Sequence, residues 1–395
     1  MSIQRERWTA KARQLLTPAL ASGEGGVWAE QHLLCQQEQT PRRRRSSMRV
    51  THLNIQIHRT APSSTPKRDA LQSLPGSGSV HVEVITDTGI TGVGEAGFGR
   101  IAGGPDVLAA LIEHELKPLV LGQDPAFVRG LHQAMLAETE YHGSQGLATF
   151  GISAIDTALW DCLGRMHGVP CWRLWGGVHT RIPAYAMVGW LNYDNEEVQA
   201  ICRQAVAQGF RAVKIKVGYP TLAEDVQRVA VVRKAVGDQI GVMVDANQSL
   251  TATEAVRRGR AFEEMGCVWW EEPIPADDID GYAELTRALD IPIATGENLY
   301  TPADFARFLR RDAMDIVQPD LRRAGGPTAL LQIGSMAAAF RRPYASHGGG
   351  PVQLNVMACL PNALYLETGL LAPDSPLRLE EGSVQIPQGP GFSWE

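Results

Sequence analysis

No stretch of this sequence carries the roughly 18 consecutive apolar residues that a membrane-spanning helix needs, so no transmembrane segment is expected. Neither charge sign dominates. Against 37 Lys and Arg stand 43 Asp and Glu, a net charge of −6, which argues against nucleic acid or an anionic membrane as a partner of the whole molecule. The six cysteines (Cys35, Cys162, Cys171, Cys202, Cys267, Cys359) are scattered and no Cys-x-x-Cys pair occurs. That speaks against a disulfide framework or a thiolate zinc site and for buried thiols in a reduced, cytoplasmic compartment. Near the start, no apolar central region precedes a small-residue cleavage site, so no secretory signal is expected. What remains is ordinary for a globular protein, 44% hydrophobic and 20% charged. With 395 residues there is room for two or three domains, or for one barrel with additions.

Residues 1–47 read differently from the rest. They hold the run Arg42-Arg43-Arg44-Arg45 and lack sustained apolar periodicity, and Glu24, Glu30 and Glu38 count against a transit peptide. The expectation is a disordered extension, as an early-assigned start codon would leave. From Met48 an α+β unit is expected. Its strands are Arg49–Arg59, Ser79–Asp87 and Ile90–Ala96, with turn chemistry at Asp87-Thr88-Gly89. Between the first two lies Thr60–Gly78, rich in Pro, Ser and Gly, which reads as a mobile loop. Helical spacing follows at Asp106–Val120, Ala126–Glu138 and Thr149–His167. From Ile182 the pattern becomes short apolar strands alternating with helices. The strands expected are Ile182–Val188, Ala212–Val217, Gly241–Asp245, Val268–Glu271, Ile293–Glu297, Ile316–Pro319, Tyr344–His347 and Ala363–Glu367. Such alternation implies parallel strands, right-handed crossovers and, with eight strands, a closed α/β barrel.

Charged and polar residues recur where these strands end: Lys214 and Lys216, Asp245 and Asn247, Glu271, Glu297, Asp320, His347 and Glu367. Asp245, Glu271 and Glu297 are spaced 26 and 26 residues apart, about one βα unit each. Barrel closure would gather these ends at one mouth. Three carboxylates from consecutive strands make a hard, oxygen-only site suited to Mg²⁺. Lysines on one side and an Asp–His pair on the other suit abstraction of a proton α to a carboxylate, since metal and lysine can absorb the second negative charge of an enediolate. Neighbouring cations would lower the pKa of a lysine enough to let it act as a base. Singly, each residue has a plainer reading. A carboxylate ending a strand is often a helix cap, His347 could be a core histidine, and Asp320 could pair with Arg322 or Arg323. Glu272 competes with Glu271 for the metal, but strand alternation would send the two to opposite faces.

The set as a whole resembles the mandelate racemase subgroup of the enolase superfamily over roughly residues 48–390. That resemblance implies a (β/α)7β barrel over 171–369 and a capping domain from 48–170, joined by a C-terminal segment, 370–395, that returns to it. It implies Lys216 as base, Lys214 neutralising the substrate carboxylate, and Asp245, Glu271 and Glu297 as Mg²⁺ ligands. Asn247 would lie near the substrate, His347 would act on the opposite face oriented by Asp320, and Glu367 would make a general-acid-like contact. Arg323 and Gly325-Gly326 also fit the family pattern. The loop Thr60–Gly78 would close the mouth, with Lys67 and Arg68 either meeting a second carboxylate or hydroxyls, or remaining solvated. The implied reaction is dehydration of an acid sugar. Racemisation or epimerisation of an α-hydroxy acid and cycloisomerisation of a sugar-acid lactone are the alternatives. Asp320 stands where muconate-cycloisomerase-like relatives carry a lysine, which argues against that subgroup. A catalytically dead barrel is disfavoured because every charged position is intact. The expected partner is a small carboxylate substrate, and a homo-oligomer is expected.

Overall fold

The computed structural model describes residues 48–76, 78–98 and 101–393, so the expectation for residues 1–47 lies outside the described residues. Strands β1 (Val50–His58), β4 (Gly78–Thr86) and β5 (Thr91–Phe98) form an antiparallel sheet in the order β1-β4-β5. Val80, Val82 and Val84 alternate onto its buried face. The long helix Leu147–His167 packs there, and its approach depends on two glycines. A Cβ at Gly92 would lie 2.1 Å from the Ala158 carbonyl oxygen, and one at Gly94 would lie 1.9 Å from that of Ala154. The single helix expected over Asp106–Val120 is instead divided, with a π-helical turn at Ile112–Leu116 between Gly104–Leu111 and Lys117–Val120. Pro118 accounts for the break, because its ring cannot donate to the preceding turn.

The stretch expected to be a mobile loop contains a small hairpin, β2 (Lys67–Arg68) and β3 (Ser73–Leu74). Asp69 closes its turn, Oδ1 accepting the backbone N–H groups of Leu71 and Gln72 at 2.8 Å each. The hairpin is tied to the barrel: Leu191 N–H donates to the Arg68 carbonyl at 2.9 Å, and Arg68 N–H donates to Asn192 Oδ1 at 3.0 Å.

Eight parallel strands make the barrel: β6 (Arg181–Gly189), β7 (Ala212–Lys216), β8 (Gly241–Asp245), β9 (Trp270–Glu271), β10 (Ile293–Thr295), β11 (Ile316–Val317), β12 (Tyr344–Ala345) and β13 (Ala363–Thr368). Pairing of Leu366, Glu367 and Thr368 with Ala184, Tyr185 and Ala186 closes it. The helices between are capped as their sequences direct, by Asp194 with Glu197 and by Thr221 with Glu224 in reciprocal capping boxes. An inward layer of Tyr185, Ala212, Met243, Trp269, Ala294, Ile316 and Ala345 fills the interior. On β7 and β8 the period of two then lifts Lys214, Lys216 and Asp245 above this floor, toward the C-terminal mouth.

The chain after β13 returns as a hairpin, β14 (Leu379–Glu380) and β15 (Ser383–Gln385), with β15 antiparallel to β6. Beyond it Phe392 is buried among the capping residues, and its N–H donates to Asp161 Oδ1 at 2.8 Å on the long helix. The five cysteines among the described residues are unpaired thiols. No described helix is long and apolar enough to cross a membrane.

Candidate active site

Each candidate residue reaches the mouth by a local device. Lys214 and Lys216 share the inward face of β7, and Asp245 and Glu271 are the last residues of β8 and β9. Glu297 arrives differently. Continued alternation from Ala294 would turn Glu297 away from the interior, but β10 stops at Thr295 and Gly296 takes φ +135°. That turn brings Glu297 to its fellow carboxylates. Oxygens of Asp245, Glu271 and Glu297 all lie within 4.8 Å of one another, the one such cluster of potential ligands among the described residues. All three are buried.

The lysines face these acids. Lys214, 1% exposed, reaches Glu271 Oε1 at 2.5 Å and Asp245 Oδ2 at 3.8 Å, and also binds Glu367. Lys216 Nζ donates to Asp245 Oδ2 at 2.5 Å and lies 5.3 Å from the centre of the Trp190 ring. Lys67 Nζ, from the β2–β3 hairpin, lies 5.3 Å from the same ring. Burial alone would lower the pKa of Lys216, but Asp245, helped by Glu297 and Glu271, outweighs it and Lys214, so the ammonium is held above its usual range. This is opposite to the direction expected from neighbouring cations, because the protein surrounds Lys216 with more carboxylates than lysines. The same imbalance acts on Glu271. Burial, with Asp245, Glu367 and Glu297 nearby, pushes its carboxyl up to about 8 in spite of Lys214.

On the other side, His347 follows β12 and Asp320 follows β11, joined by a parallel bridge. His347 Nδ1 is 2.9 Å from Asp320 Oδ2, and Nε2 is 3.0 Å from Glu297 Oε2. Burial opposes the charged imidazole, yet Glu297 and the Asp320 hydrogen bond raise its pKa to about 9. Asp320 also caps the short helix Leu321–Ala324, accepting the N–H groups of Arg322 at 2.9 Å and Arg323 at 3.0 Å. The plain reading of Asp320 as a salt-bridge partner holds as well, since Arg322 Nη2 donates to its Oδ2 at 2.8 Å.

Glu367 sits deeper, binding Lys214 and accepting the Tyr185 hydroxyl at 2.6 Å and the Gly348 N–H at 3.1 Å. Burial would raise its pKa, but Lys214, His347 and the hydroxyl hold it down to about 2. Asn247 has φ +43° and donates its N–H to Asp245 Oδ1 at 2.9 Å, while its side-chain oxygen is buried without a protein partner.

Sequence reasoning passed over several neighbours. Gln318 donates to Glu271 Oε2 at 2.9 Å and to the Tyr185 hydroxyl at 3.1 Å, bracing the middle carboxylate from across the barrel. Glu272 lies outside the carboxylate cluster and acts instead on Tyr282 of the surrounding helix Ile279–Ala288, in keeping with the alternation that separates it from Glu271. Its φ of +37° ends the strand, and its Oε2 accepts Asn298 Nδ2 at 2.7 Å, beside Glu297. Asn298 is held in turn by Arg323.

Comparison with known proteins agrees with this geometry. Residues 53–176 match the N-terminal domain of mandelate racemase / muconate lactonizing enzymes, and residues 197–395 match the enolase C-terminal domain-like family. An arabinonate dehydratase of Saccharolobus solfataricus is 33% identical over 344 residues, 83% of this chain and 92% of that protein. A 3,6-anhydro-alpha-L-galactonate cycloisomerase of Streptomyces coelicolor is 34% identical over 316 residues, 79% of this chain and 87% of that one. A crystal structure of a racemase from Streptomyces coelicolor A3(2) with bound magnesium superposes with TM-score 0.82 at 32% identity, covering 87% of this chain and 96% of that one. The chain belongs to the enolase superfamily, in its mandelate racemase subgroup.

Proposed function

We propose that this enzyme binds Mg²⁺ through Asp245, Glu271 and Glu297 and removes the proton α to the carboxylate of a small acid sugar, leading to dehydration to a 2-keto-3-deoxy acid. The observation that supports the reading is that a lysine and a histidine stand at opposite ends of the carboxylate cluster. Lys216 sits against Asp245 and His347 against Glu297. The donor set fits the ion, being three buried oxygen ligands whose negative charge exceeds what the adjacent lysines neutralise. Magnesium, when bound, draws charge from the substrate carboxylate and eases formation of the second negative charge.

The protein's own groups do the rest. Lys216 accepts the α-proton, and Lys214 balances Glu271 and Glu367 beneath the substrate. Asn247 offers its unpartnered oxygen to a hydroxyl. Asp320, kept ionised by Arg322 and His347 against the pull of burial, stabilises protonated His347, which gives its Nε2 proton to the departing β-hydroxyl so that water leaves. The enol product then tautomerises to the ketone. The dehydratase relative supports dehydration as the outcome. The two-sided placing of Lys216 and His347 also favours a second reading, racemisation or epimerisation, and the cycloisomerase relative keeps lactone chemistry in view.

A library of mono- and diacid sugars incubated with Mg²⁺, assayed for keto acid and for α-deuterium uptake in D₂O, tests the proposal. Keto acid formation that stops on chelation and returns with Mg²⁺ is expected. Deuterium uptake without keto acid would replace dehydration with racemisation. Full turnover after exhaustive removal of metal would sink the metal assignment.

A further inference from the structure

Arg322 lies next to the site without touching the carboxylate cluster, and its guanidinium is divided between two partners. Toward the barrel, Nη2 donates to Asp320 Oδ2 at 2.8 Å and Nε to Oδ1 at 3.3 Å, a two-pronged hold on a carboxylate that is 1% exposed. Toward the cap, Nη1 donates to the Gly97 carbonyl at 3.0 Å, and the guanidinium carbon is 5.9 Å from the centre of the Phe150 ring. Gly97 belongs to β5 and Phe150 to the long capping helix. A second tie runs beside it, Ser153 Oγ donating to the Leu321 carbonyl at 3.0 Å.

The acceptor sites of Asp320 are thus fully allotted. Oδ1 takes the backbone N–H groups of Arg322 and Arg323 together with Arg322 Nε, and Oδ2 is shared between Arg322 Nη2 and His347 Nδ1. The arginine therefore fixes the carboxylate plane, and with it the plane of the imidazole whose other nitrogen lies 3.0 Å from Glu297 Oε2. Without the arginine, Oδ1 keeps only the two backbone donors and Oδ2 only His347 Nδ1, so nothing outside the pair fixes the carboxylate plane. Lysine could supply one prong but not the fork.

We propose that Arg322 is a positioning residue that couples the Asp320–His347 pair to the capping sheet, so that His347 is aimed for proton transfer only while β5 is seated against the barrel. The inference rests on the reading of Lys216 and His347 as the two proton-transfer groups.

The test separates the two halves of the reaction. In Arg322→Met, turnover to keto acid falls on the order of 100-fold, the cost of a catalytic group misplaced by about 1 Å, with KM within about twofold of the parent. Exchange of the α-proton for solvent deuterium, the work of Lys216, stays within about twofold. His347→Asn shows the same split, and Arg322→Lys recovers part of the turnover. If the parent racemises instead, the split appears as loss of exchange from one substrate configuration only. Exchange and elimination falling in parallel, or neither falling, overturns the proposal while leaving the wild-type chemistry intact. A wild type that neither exchanges nor eliminates on any acid sugar overturns both readings. Should Arg322→Met fail to fold, Phe150→Leu removes the platform beneath the guanidinium and is read by the same two assays.

Discussion

Replacing Lys214 with methionine isolates the charge balance of the site. The ammonium is buried and meets Glu271, Glu367 and, more distantly, Asp245. Methionine fills much of the same volume without the charge. Removing one partner of a buried ion pair typically costs about 3–5 kcal/mol, because the remaining charge is left uncompensated. Here the remaining charges belong largely to the cation site, so the loss should depend on Mg²⁺. A ligand at 100 times its dissociation constant adds about 2.7 kcal/mol of stability. If loss of Lys214 tightens Mg²⁺ binding tenfold, about 1.4 kcal/mol more is recovered in the variant than in the parent. Urea unfolding of both proteins, with and without Mg²⁺, and calorimetric titration of the ion measure the two quantities. Turnover should still fall, since Glu367 loses its counter-charge. An equal stability loss with and without Mg²⁺, together with unchanged Mg²⁺ affinity, would refute the electrostatic coupling of this lysine to the carboxylate cluster.

Ligand register is checked by a pair of substitutions: Glu271→Gln should weaken Mg²⁺ binding by tenfold or more, whereas Glu272→Gln, whose parent carboxyl bonds Asn298, should weaken it far less in the same titration. The reverse ranking would move the ligand by one residue. Gly296→Ala forces a Cβ to 2.7 Å from the Phe305 ring at φ +135°, so a loss of about 1–3 kcal/mol and weakened Mg²⁺ affinity are expected from unfolding and titration. In metal-free protein the folded-state pKa of His347 is raised from 6.5 to about 9. Its contribution to stability is therefore full below pH 6.5 and disappears as pH rises through about 9. His347→Asn should flatten that part of the stability–pH curve, and an unchanged slope would contradict the His347–Glu297 and His347–Asp320 contacts.

The barrel was legible because parallel strands buried on both faces leave short apolar runs, and because each run ended in a polar residue at intervals near one βα unit. A period of two correctly gave Lys214 and Lys216 the same face. It does not extend to Glu297, which lies just past a strand end, where positive φ at Gly296 replaces the extended backbone. Composition did not reveal the small hairpin within Thr60–Gly78, where the Asp69 side chain organises a turn amid Pro, Ser and Gly. The braces around the site were invisible for another reason. Gln318 meets Tyr185 across 133 positions, and Arg322 meets Gly97 across 225, pairings that only barrel closure and the cap create.

The sign of the Lys216 shift marks the deeper limit of reading charge from sequence. Counting neighbours along β7 finds another lysine two residues away and leads to a lowered pKa. Counting neighbours in space finds Asp245 in contact, with Glu297 and Glu271 acting from further off, and the pKa is raised. A divalent cation shared by those three carboxylates would add two positive charges where the protein has arranged an excess of negative ones, and so bring Lys216 back toward the range of a base. If the proposed ion binds there, the lysine and the ligand set would act as one electrostatic device, the cation offsetting the carboxylates that raise the Lys216 pKa.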